Sequence, residues 1–204
     1  MELTNAIHGR RSIRKYESNA ISKEAVHKVI QAGIAAPSAK NRQPWRFVVV
    51  QGAAKTEMLA VMERGMEREQ RAPLLPGSSH YLSGAKYTAA IMKQAPVTIF
   101  IINPLNEMTY PDNFEDKIYE MANVQSVGAC IQNMLLTAVD LGLGGVRQGK
   151  SNPIRLKLAL IALCCVIVSH NSYGYKVNSA EGGREGALGH SSFLFLVQNK
   201  NRSV

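Results

Sequence analysis

The chain has 204 residues, of which 46% are hydrophobic and 19% are charged, and this composition excludes a chain that is disordered throughout. The net charge of +9 is unevenly placed: residues 1–146 contain 16 basic and 13 acidic residues, whereas residues 147–204 contain 8 and 2. The basic excess therefore marks a compositional break near residue 146, and it argues against a uniformly basic nucleic-acid-binding surface.

The cysteines and the longest apolar run bear on the location of the protein. Three cysteines, two of them adjacent, are too few for a disulfide framework, and none shares the spacing of a zinc site with histidines. The longest apolar run, residues 158–168, is shorter than the ~20 residues that span a bilayer, and residues 1–11 lack the apolar stretch of a signal peptide. We expect a cytoplasmic protein with no metal, no membrane segment and no nucleic-acid partner.

Hydrophobic periodicity predicts helices that alternate with short strands in the first half of the chain. A helix over 23–35 is favoured by apolar residues at helical spacing, by Ser22 as its N-cap and by Pro37 beyond its end. The other predicted elements are a helix (2–9), a polar loop (37–45), a buried strand (47–50), a surface helix (55–71), a loop (72–84), a second buried strand (97–102) and another loop (103–114).

A long helix is predicted over residues 116–141, and its apolar residues cover so much of the circumference that we expect a central or interface position. Glycines within 142–145 end this helix. The apolar run 158–168 fits either a helix or a strand, and residues 192–197 are typical of a short strand. These elements indicate a layered α/β or α+β protein.

The first candidate site is a basic run that follows the first helix and contains Arg10, Arg11, Ser12 and Arg14. Guanidinium groups bind phosphate oxygens bidentately, and a serine hydroxyl adds one hydrogen bond, so this run suits a phosphate monoester. A solvated basic segment is the alternative, since short basic runs are common.

The second candidate is the loop 37–45, in which Ser38, Asn41 and Gln43 offer a hydroxyl and two amides between two prolines. The edge of a planar heterocycle such as a flavin needs alternating donors and acceptors of this kind. An ordinary turn, in which these side chains bond their own backbone, is the alternative.

Other patterns carry less chemistry. The glycine-rich stretch 142–149 does not fit the dinucleotide-binding GxGxxG pattern, because Arg147 stands at the last glycine position and no strand is predicted before it. The five histidines are scattered singly, and no pair of carboxylates stands out. We therefore assign no catalytic acid or base.

Three segments together resemble the FMN-dependent nitroreductase superfamily. They are RRSIRKY (10–16), APSAKNRQPWRF (36–47) and the helix that runs from SVGA (126–129) to LG (143–144). The resemblance covers residues 1–146 and implies an α+β fold, with a mixed sheet flanked by helices and a long central helix at the interface of an obligate homodimer. We expect one such domain over 1–204, with 147–204 atypical.

The resemblance also implies two FMN molecules in the dimer interface, each touched by both subunits. The residues implied to hold the phosphate and ribityl chain are Arg10, Ser12 and Arg14, with Arg11 in the same binding segment. The residues implied to line the isoalloxazine ring from the partner subunit are Pro37, Ser38, Ala39 and Asn41. Ser126 would lie where the central helix approaches the flavin, and Gln148 and Gly149 near the pyrimidine edge of the ring.

The activity implied by the resemblance is a ping-pong oxidoreduction. NADH or NADPH would deliver hydride to flavin N5, and a nitroaromatic, quinone or enone acceptor would then take its place. No side chain needs to act as an acid or base.

The family pattern fades after Gly145. The tail lacks a matching basic motif for the phosphate, although Lys176, Arg184, Lys200 or Arg202 could supply a cation. Two explanations stay open, namely a divergent C-terminus and a reading-frame shift near residue 146. The alternative function is therefore a catalytically impaired or non-catalytic flavin-binding remnant.

Overall fold

The structure is a computed structural model that describes residues 1–73, 76–104 and 113–148, together with the backbone of two strands at 162–170 and 194–197. Its α-helices are α1 (Leu3–Gly9), α2 (Lys23–Ile34), α3 (Gly52–Arg71), α4 (Leu82–Gln94) and α5 (Phe114–Asp140). Its strands are β1 (Arg46–Gln51), β2 (Val97–Ile102), β3 (Leu143–Gln148), β4 (Ala162–His170) and β5 (Leu194–Val197). Short 3₁₀ turns lie at Ala39–Asn41 and Ser78–Tyr81.

Local capping explains where the two best-predicted helices begin. The Ser22 hydroxyl accepts a hydrogen bond from the backbone N–H of Ala25 at 3.2 Å, which confirms the predicted N-cap of α2. Asn113 caps α5 in the same way, because its Oδ1 accepts from the N–H of Asp116 at 2.8 Å. The long predicted helix is thus confirmed within two residues of its expected start.

The strands form one sheet in the order β3-β4-β2-β1-β5, and its four ladders are all antiparallel. Among the described residues, the parallel pairing consists of one isolated bridge, between Ser12 and Gly145 on the edge strand β3. The α+β class is confirmed. The run 158–168, which fits a helix or a strand on sequence, contains most of strand β4.

Helices cover both faces of the sheet. On one face, α2 and α5 pack against Phe47, Ile99 and Ile101 in the larger buried cluster. On the other face, α3 and α4 contribute to a smaller cluster that includes Val146, with Phe100 packed against it. Burial on both faces fits the nearly continuous apolar sequences of β1 and β2.

One glycine lets the two helices on the larger cluster approach closely. A Cβ at Gly33 of α2 would lie 2.8 Å from Cγ of Met134 and 3.0 Å from Sγ of Cys130, both on α5. The close contact between α2 and α5 therefore depends on a residue without a side chain, and it sets the position of α5 beneath the loop that follows α2.

Two elements differ from the sequence predictions. Helix α4 was not predicted, and its first turn lies in the predicted loop 72–84, where Ser78–Tyr81 is also a 3₁₀ turn. Burial of Ala89, Ile91 and Met92 stabilises α4 despite its weak periodicity. Strand β3 was not predicted either, because its glycines were expected only to end the preceding helix, yet pairing with β4 makes Leu143–Gln148 a strand. Of the predicted loop 103–114, residues 105–112 lie outside the described residues.

Candidate functional site

The basic segment that follows α1 is fixed along the β3 edge of the sheet. The backbone N–H of Ile13 donates to the carbonyl of Gly145 at 3.1 Å, next to the bridge between Ser12 and Gly145. A Cβ at Gly144 would lie only 3.0–3.1 Å from three side-chain atoms of Ile13. Gly144, whose type lowers strand propensity in the sequence, therefore allows the basic segment to approach β3 closely.

The predicted phosphate-binding side chains extend from this fixed backbone. Arg10 is half-buried, and Ser12 and Arg14 are exposed. Nη1 of Arg11 donates to the carbonyl of His8 at 2.9 Å, and Nη1 of Arg14 donates to the carbonyl of Ser12 at 3.3 Å. Within the described part of the chain, none of the three arginines is paired with a carboxylate, so their charge is not neutralised there.

Sequence reasoning overlooked one further cation at this edge. Arg147 is exposed on β3, two residues beyond Gly145, just as Arg14 lies two residues beyond Ser12. Because the bridge is parallel, the two segments run in the same direction towards these arginines. The glycine pair Gly144-Gly145 was the sequence signal that could have indicated a close approach near Arg147. Gln148 ends the same strand, whereas Gly149 lies outside the described residues.

The loop 37–45 is a tight turn anchored by two serine hydroxyls. Oγ of Ser38 accepts a hydrogen bond from the N–H of Gln43 at 2.9 Å. Oγ of Ser126, on α5, accepts from the N–H of Ala39 at 3.3 Å and donates to the carbonyl of Ala122 at 2.7 Å. The structure therefore brings Ser38, Ala39 and Ser126 together, with Pro37 and Asn41 exposed on the same turn.

The same turn holds an unusual backbone conformation. Lys40, Asn41 and Gln43 have φ values of 52°, 50° and 47°, and none of them is glycine. The left-handed region costs an L-residue about 1–2 kcal/mol, with asparagine the most tolerant of the three. Strain of this kind persists where the surrounding structure imposes it, and it concentrates at functional sites.

An aromatic side chain of α5 holds two cations of this turn. Nζ of Lys40 donates to the hydroxyl of Tyr119 at 2.9 Å and lies 5.0 Å from the ring centroid. The guanidinium carbon of Arg42 lies 4.3 Å from the same centroid. We call Lys40, Arg42 and Tyr119 the cation–tyrosine cluster. It joins residues 77 or more positions apart, so no local sequence signal could have revealed it.

A buried polar atom lies on α5 close in sequence to this anchor. Asn123 is one turn before Ser126 and 4% exposed, and its Oδ1 has no hydrogen-bond partner among the described residues. An unpaired buried acceptor is expensive, and a bound polar group that donates to it would remove that cost.

The described residues contain neither a membrane-spanning helix nor a cluster of metal ligands. None of the helices there is both long and apolar enough to cross a membrane. Nor do three His, Cys, Asp or Glu side chains of that part of the chain come together as a potential metal site.

Comparison with known proteins assigns the family. The model of the nitroreductase family matches residues 7–197. The chain belongs to the nitroreductase family. The resemblance found in three segments is thereby confirmed, and the family match continues well beyond the compositional break near residue 146.

Relatives and solved structures agree with this assignment. A candidate NADH dehydrogenase/NAD(P)H nitroreductase of Archaeoglobus fulgidus is 35% identical over 148 residues, 72% of this chain and 67% of the relative. A relative of the same name in Methanothermobacter thermautotrophicus is 30% identical over 149 residues, 73% of this chain but only 61% of the relative. The crystal structure of a candidate nitroreductase from Desulfovibrio desulfuricans in complex with FMN has 29% identity and a TM-score of 0.61, over 91% of this chain and 92% of that one.

Proposed function

We propose that the protein is an FMN-dependent NAD(P)H oxidoreductase of the nitroreductase type, with nitroaromatic, quinone or enone acceptors. The observation that carries this proposal is the strained turn 38–43, which Ser126 fastens to the central helix at the position the family resemblance gives to the flavin. The names of the two archaeal relatives and the FMN in the Desulfovibrio structure support the nicotinamide and flavin parts.

The described residues fit FMN on two counts. FMN ends in a phosphate dianion, and the basic segment offers arginines that no carboxylate neutralises within the described part. FMN also has a ring edge rich in donors and acceptors, and the anchored turn presents polar side chains on a backbone fixed by Ser38 and Ser126.

In this proposal the chain's residues bind and orient. Residues assigned to the phosphate and ribityl chain are Arg10, Arg11, Ser12 and Arg14. Residues assigned to the ring are Pro37, Ser38, Ala39 and Asn41, with Gln148 and Gly149 at its pyrimidine edge. The hydroxyl of Ser126 donates to Ala122 and accepts from Ala39, so we assign Ser126 to positioning the turn at the flavin. When bound, FMN supplies the hydride transfer between NAD(P)H and the acceptor.

We propose a homodimer on the basis of one exposed face of α5. Phe114, Ile118, Met121 and Val124 recur at helical spacing and are 78%, 47%, 64% and 47% exposed. Gly128 continues this face, and a Cβ placed there would have no atom within 4 Å. A second copy of the chain would bury this apolar stripe, and Gly128 would allow close approach of its backbone. We also propose a cytoplasmic location, because three cysteines without the pattern of a disulfide framework or a zinc site are typical of a reducing compartment.

A flavin-binding remnant without turnover is the second candidate. The change in composition after residue 146 favours it, because it indicates a C-terminal segment unlike that of the family. Such a segment has basic residues but lacks the matching basic motif that is expected to bind the phosphate. The two candidates share flavin binding and differ in reduction by NAD(P)H, so a single spectroscopic experiment separates them.

The test is a visible absorption spectrum of the purified protein titrated with FMN. We expect a bound-flavin band that bleaches with NAD(P)H in the absence of oxygen and returns when a quinone or nitroarene is added. Arg14→Gln should weaken FMN binding about tenfold, whereas Arg64→Gln, which removes an exposed arginine from α3, should not. Flavin that binds but never bleaches would support the remnant, and no binding at all would overturn both candidates.

A further inference from the structure

The cation–tyrosine cluster places two positive charges side by side, and no carboxylate of the described residues neutralises them. Within the described part of the chain, neither Lys40 nor Arg42 forms an ion pair, and both are exposed. Like charges on one turn repel each other, so this arrangement is unfavourable until an anion neutralises it. Tyr119 offsets part of that cost through the hydrogen bond from Lys40 and the cation–π contact with Arg42.

The contacts with Tyr119 orient the cations without consuming their hydrogen-bonding capacity. A lysine ammonium has three N–H donors, and Lys40 uses one of them on the tyrosine hydroxyl. The guanidinium carbon of Arg42 lies over the ring, and within the described residues the N–H groups of this side chain make no hydrogen bond, so they remain available. Two pre-oriented donors with free N–H groups are the arrangement that binds carboxylate or phosphate oxygens.

The cluster also belongs to the proposed flavin turn. Lys40 lies between Ala39 and Asn41, both assigned to the flavin ring, and its left-handed backbone is fixed by the same turn. A substrate that stacks on the flavin would therefore meet these cations at the edge of the site. Glycine would adopt the left-handed backbone at this position without strain, whereas lysine does so at a cost. A lysine here is explained if its side chain is needed to bind the substrate.

We propose that Lys40 and Arg42, oriented by Tyr119, bind an oxyanion of the substrate and make the site selective for anionic substrates. The oxyanion is either the extra phosphate that distinguishes NADPH from NADH or a carboxylate on the acceptor. This inference rests on the proposed flavin-dependent activity, since it assigns the edge of that same site. Lys40 and Arg42 are specificity-determining residues, and Tyr119 is a positioning residue.

The experiment compares matched substrates that differ in one charge. With FMN-loaded protein, the ratio of kcat/KM for 4-nitrobenzoate to that for 4-nitrobenzamide tests the acceptor, and the ratio for NADPH to NADH tests the phosphate. We expect one of the two ratios to fall about tenfold in Lys40→Gln and in Arg42→Gln. The affected ratio identifies the source of the anion. In the wild type this same ratio of kcat/KM values should also fall as the ionic strength is raised from about 0.02 to about 0.5 M, because salt screens the attraction.

Two further variants distinguish binding of the anion by Lys40 and Arg42 from the general electrostatic effect of nearby positive charges. Lys117→Gln removes an exposed charge from α5 two residues before Tyr119, and it should leave both ratios unchanged. Tyr119→Phe keeps the ring beneath Arg42 but removes the hydroxyl that binds Lys40, so its effect should be smaller than that of Lys40→Gln. Calorimetric titration of the oxidised protein with 4-nitrobenzoate and with 4-nitrobenzamide gives the same comparison at equilibrium, without turnover.

Each outcome bears on one proposal or on both. Turnover of neutral substrates with both ratios unchanged in Lys40→Gln and Arg42→Gln would overturn the anion site and leave the flavin proposal standing. If those variants bind FMN more weakly but keep both ratios, the cations bind the flavin phosphate, and the proposed anion site for the substrate would again be overturned. No flavin binding and no turnover of either acceptor would overturn the proposed function, and the anion site with it.

Discussion

The hydroxyl of Ser126 and the backbone N–H of Ala39 lie 3.3 Å apart, and their hydrogen bond joins helix α5 to a turn 87 residues away in the chain. The same hydroxyl donates to the carbonyl of Ala122 at 2.7 Å, so its orientation is set by α5 itself. The strained turn is thus held from outside by a rigid helix. This explains how three non-glycine residues can stay in the left-handed region within four positions.

Removal of this anchor should affect both stability and the flavin site. In Ser126→Ala we expect the free energy of unfolding to fall by about 1 kcal/mol, because one helix-to-turn hydrogen bond is lost. The dissociation constant for FMN should rise several-fold, because the turn is no longer held. Urea unfolding and flavin fluorescence titration measure the two effects, with Ser83→Ala on the exposed surface of α4 as the control. Wild-type stability and FMN affinity in Ser126→Ala would show that the turn holds itself.

Substitution of Gly144, which contacts Ile13, should likewise lower both the stability and the FMN affinity of the protein. In Gly144→Ala the new methyl group would lie 3.0–3.1 Å from the Ile13 side chain, and overpacking of this kind costs about 1–3 kcal/mol. The basic segment would be displaced from β3, so FMN binding should weaken as well. Gly9→Ala, where a Cβ has open space, is the control.

A double-mutant cycle with Ile13→Ala separates this clash from any general effect on β3. The second substitution removes two of the three atoms that the new methyl group would meet, so the two changes together should cost less than the sum of their separate effects. Additive losses of stability would instead mean that Gly144 is needed for its backbone conformation and not for the approach of Ile13.

The sequence predicted those features that depend on local chemistry. Ser22 and the apolar spacing behind it define α2 without reference to any other element. The residues of the strained turn were identified because serine, asparagine and proline favour turns wherever they occur. Strand β3 was missed because glycines lower strand propensity, and only the pairing with β4 offsets this.

Long-range contacts explain most of what the sequence could not predict in the site. Tyr119 looks like any other residue of a long helix until the fold places Lys40 and Arg42 over its ring. Likewise, Ser126 was expected near the flavin, but only the structure shows that both of its hydrogen bonds are made within the chain. The left-handed conformation of Lys40 had no sequence signal, because lysine is not a residue that favours it.

The exposed apolar stripe of α5 predicts how assembly can be disrupted. Met121 lies in its middle, so Met121→Glu would place an unpaired charge in the proposed interface and should raise the dimer dissociation constant by at least about tenfold. Analytical ultracentrifugation over a concentration series measures this, and circular dichroism checks that the helix content is kept. Tyr87→Glu, an equally drastic change on the exposed face of α4, is the control. A wild-type chain that sediments as a monomer would disprove the dimer outright.

Lys55 provides a pH-dependent test of how α3 and α4 are joined. Its ammonium donates to the carbonyls of Ala95 and Lys93 at 2.5 and 3.2 Å, where α4 ends. Cations stabilise the C-terminal end of a helix, and charge-assisted hydrogen bonds are stronger than neutral ones. We therefore expect Lys55→Met to lose about 1 kcal/mol of unfolding free energy near neutral pH.

The sign of the pH dependence follows from burial. Burial lowers the pKa of Lys55 below its usual value of 10.5, because the partly buried site disfavours the charged form. Between the folded-state pKa and 10.5 the unfolded chain binds more protons than the folded one, so the contribution of Lys55 to stability increases as pH rises through this window. The stability difference between wild type and Lys55→Met should accordingly be larger at about pH 10 than at about pH 7.5. Urea unfolding of both proteins at the two pH values measures it, with Lys93→Met on the exposed face of α4 as the matched control. A difference that shrinks towards alkaline pH would mean that the charge on Lys55 is favoured by the helix end more than it is penalised by burial.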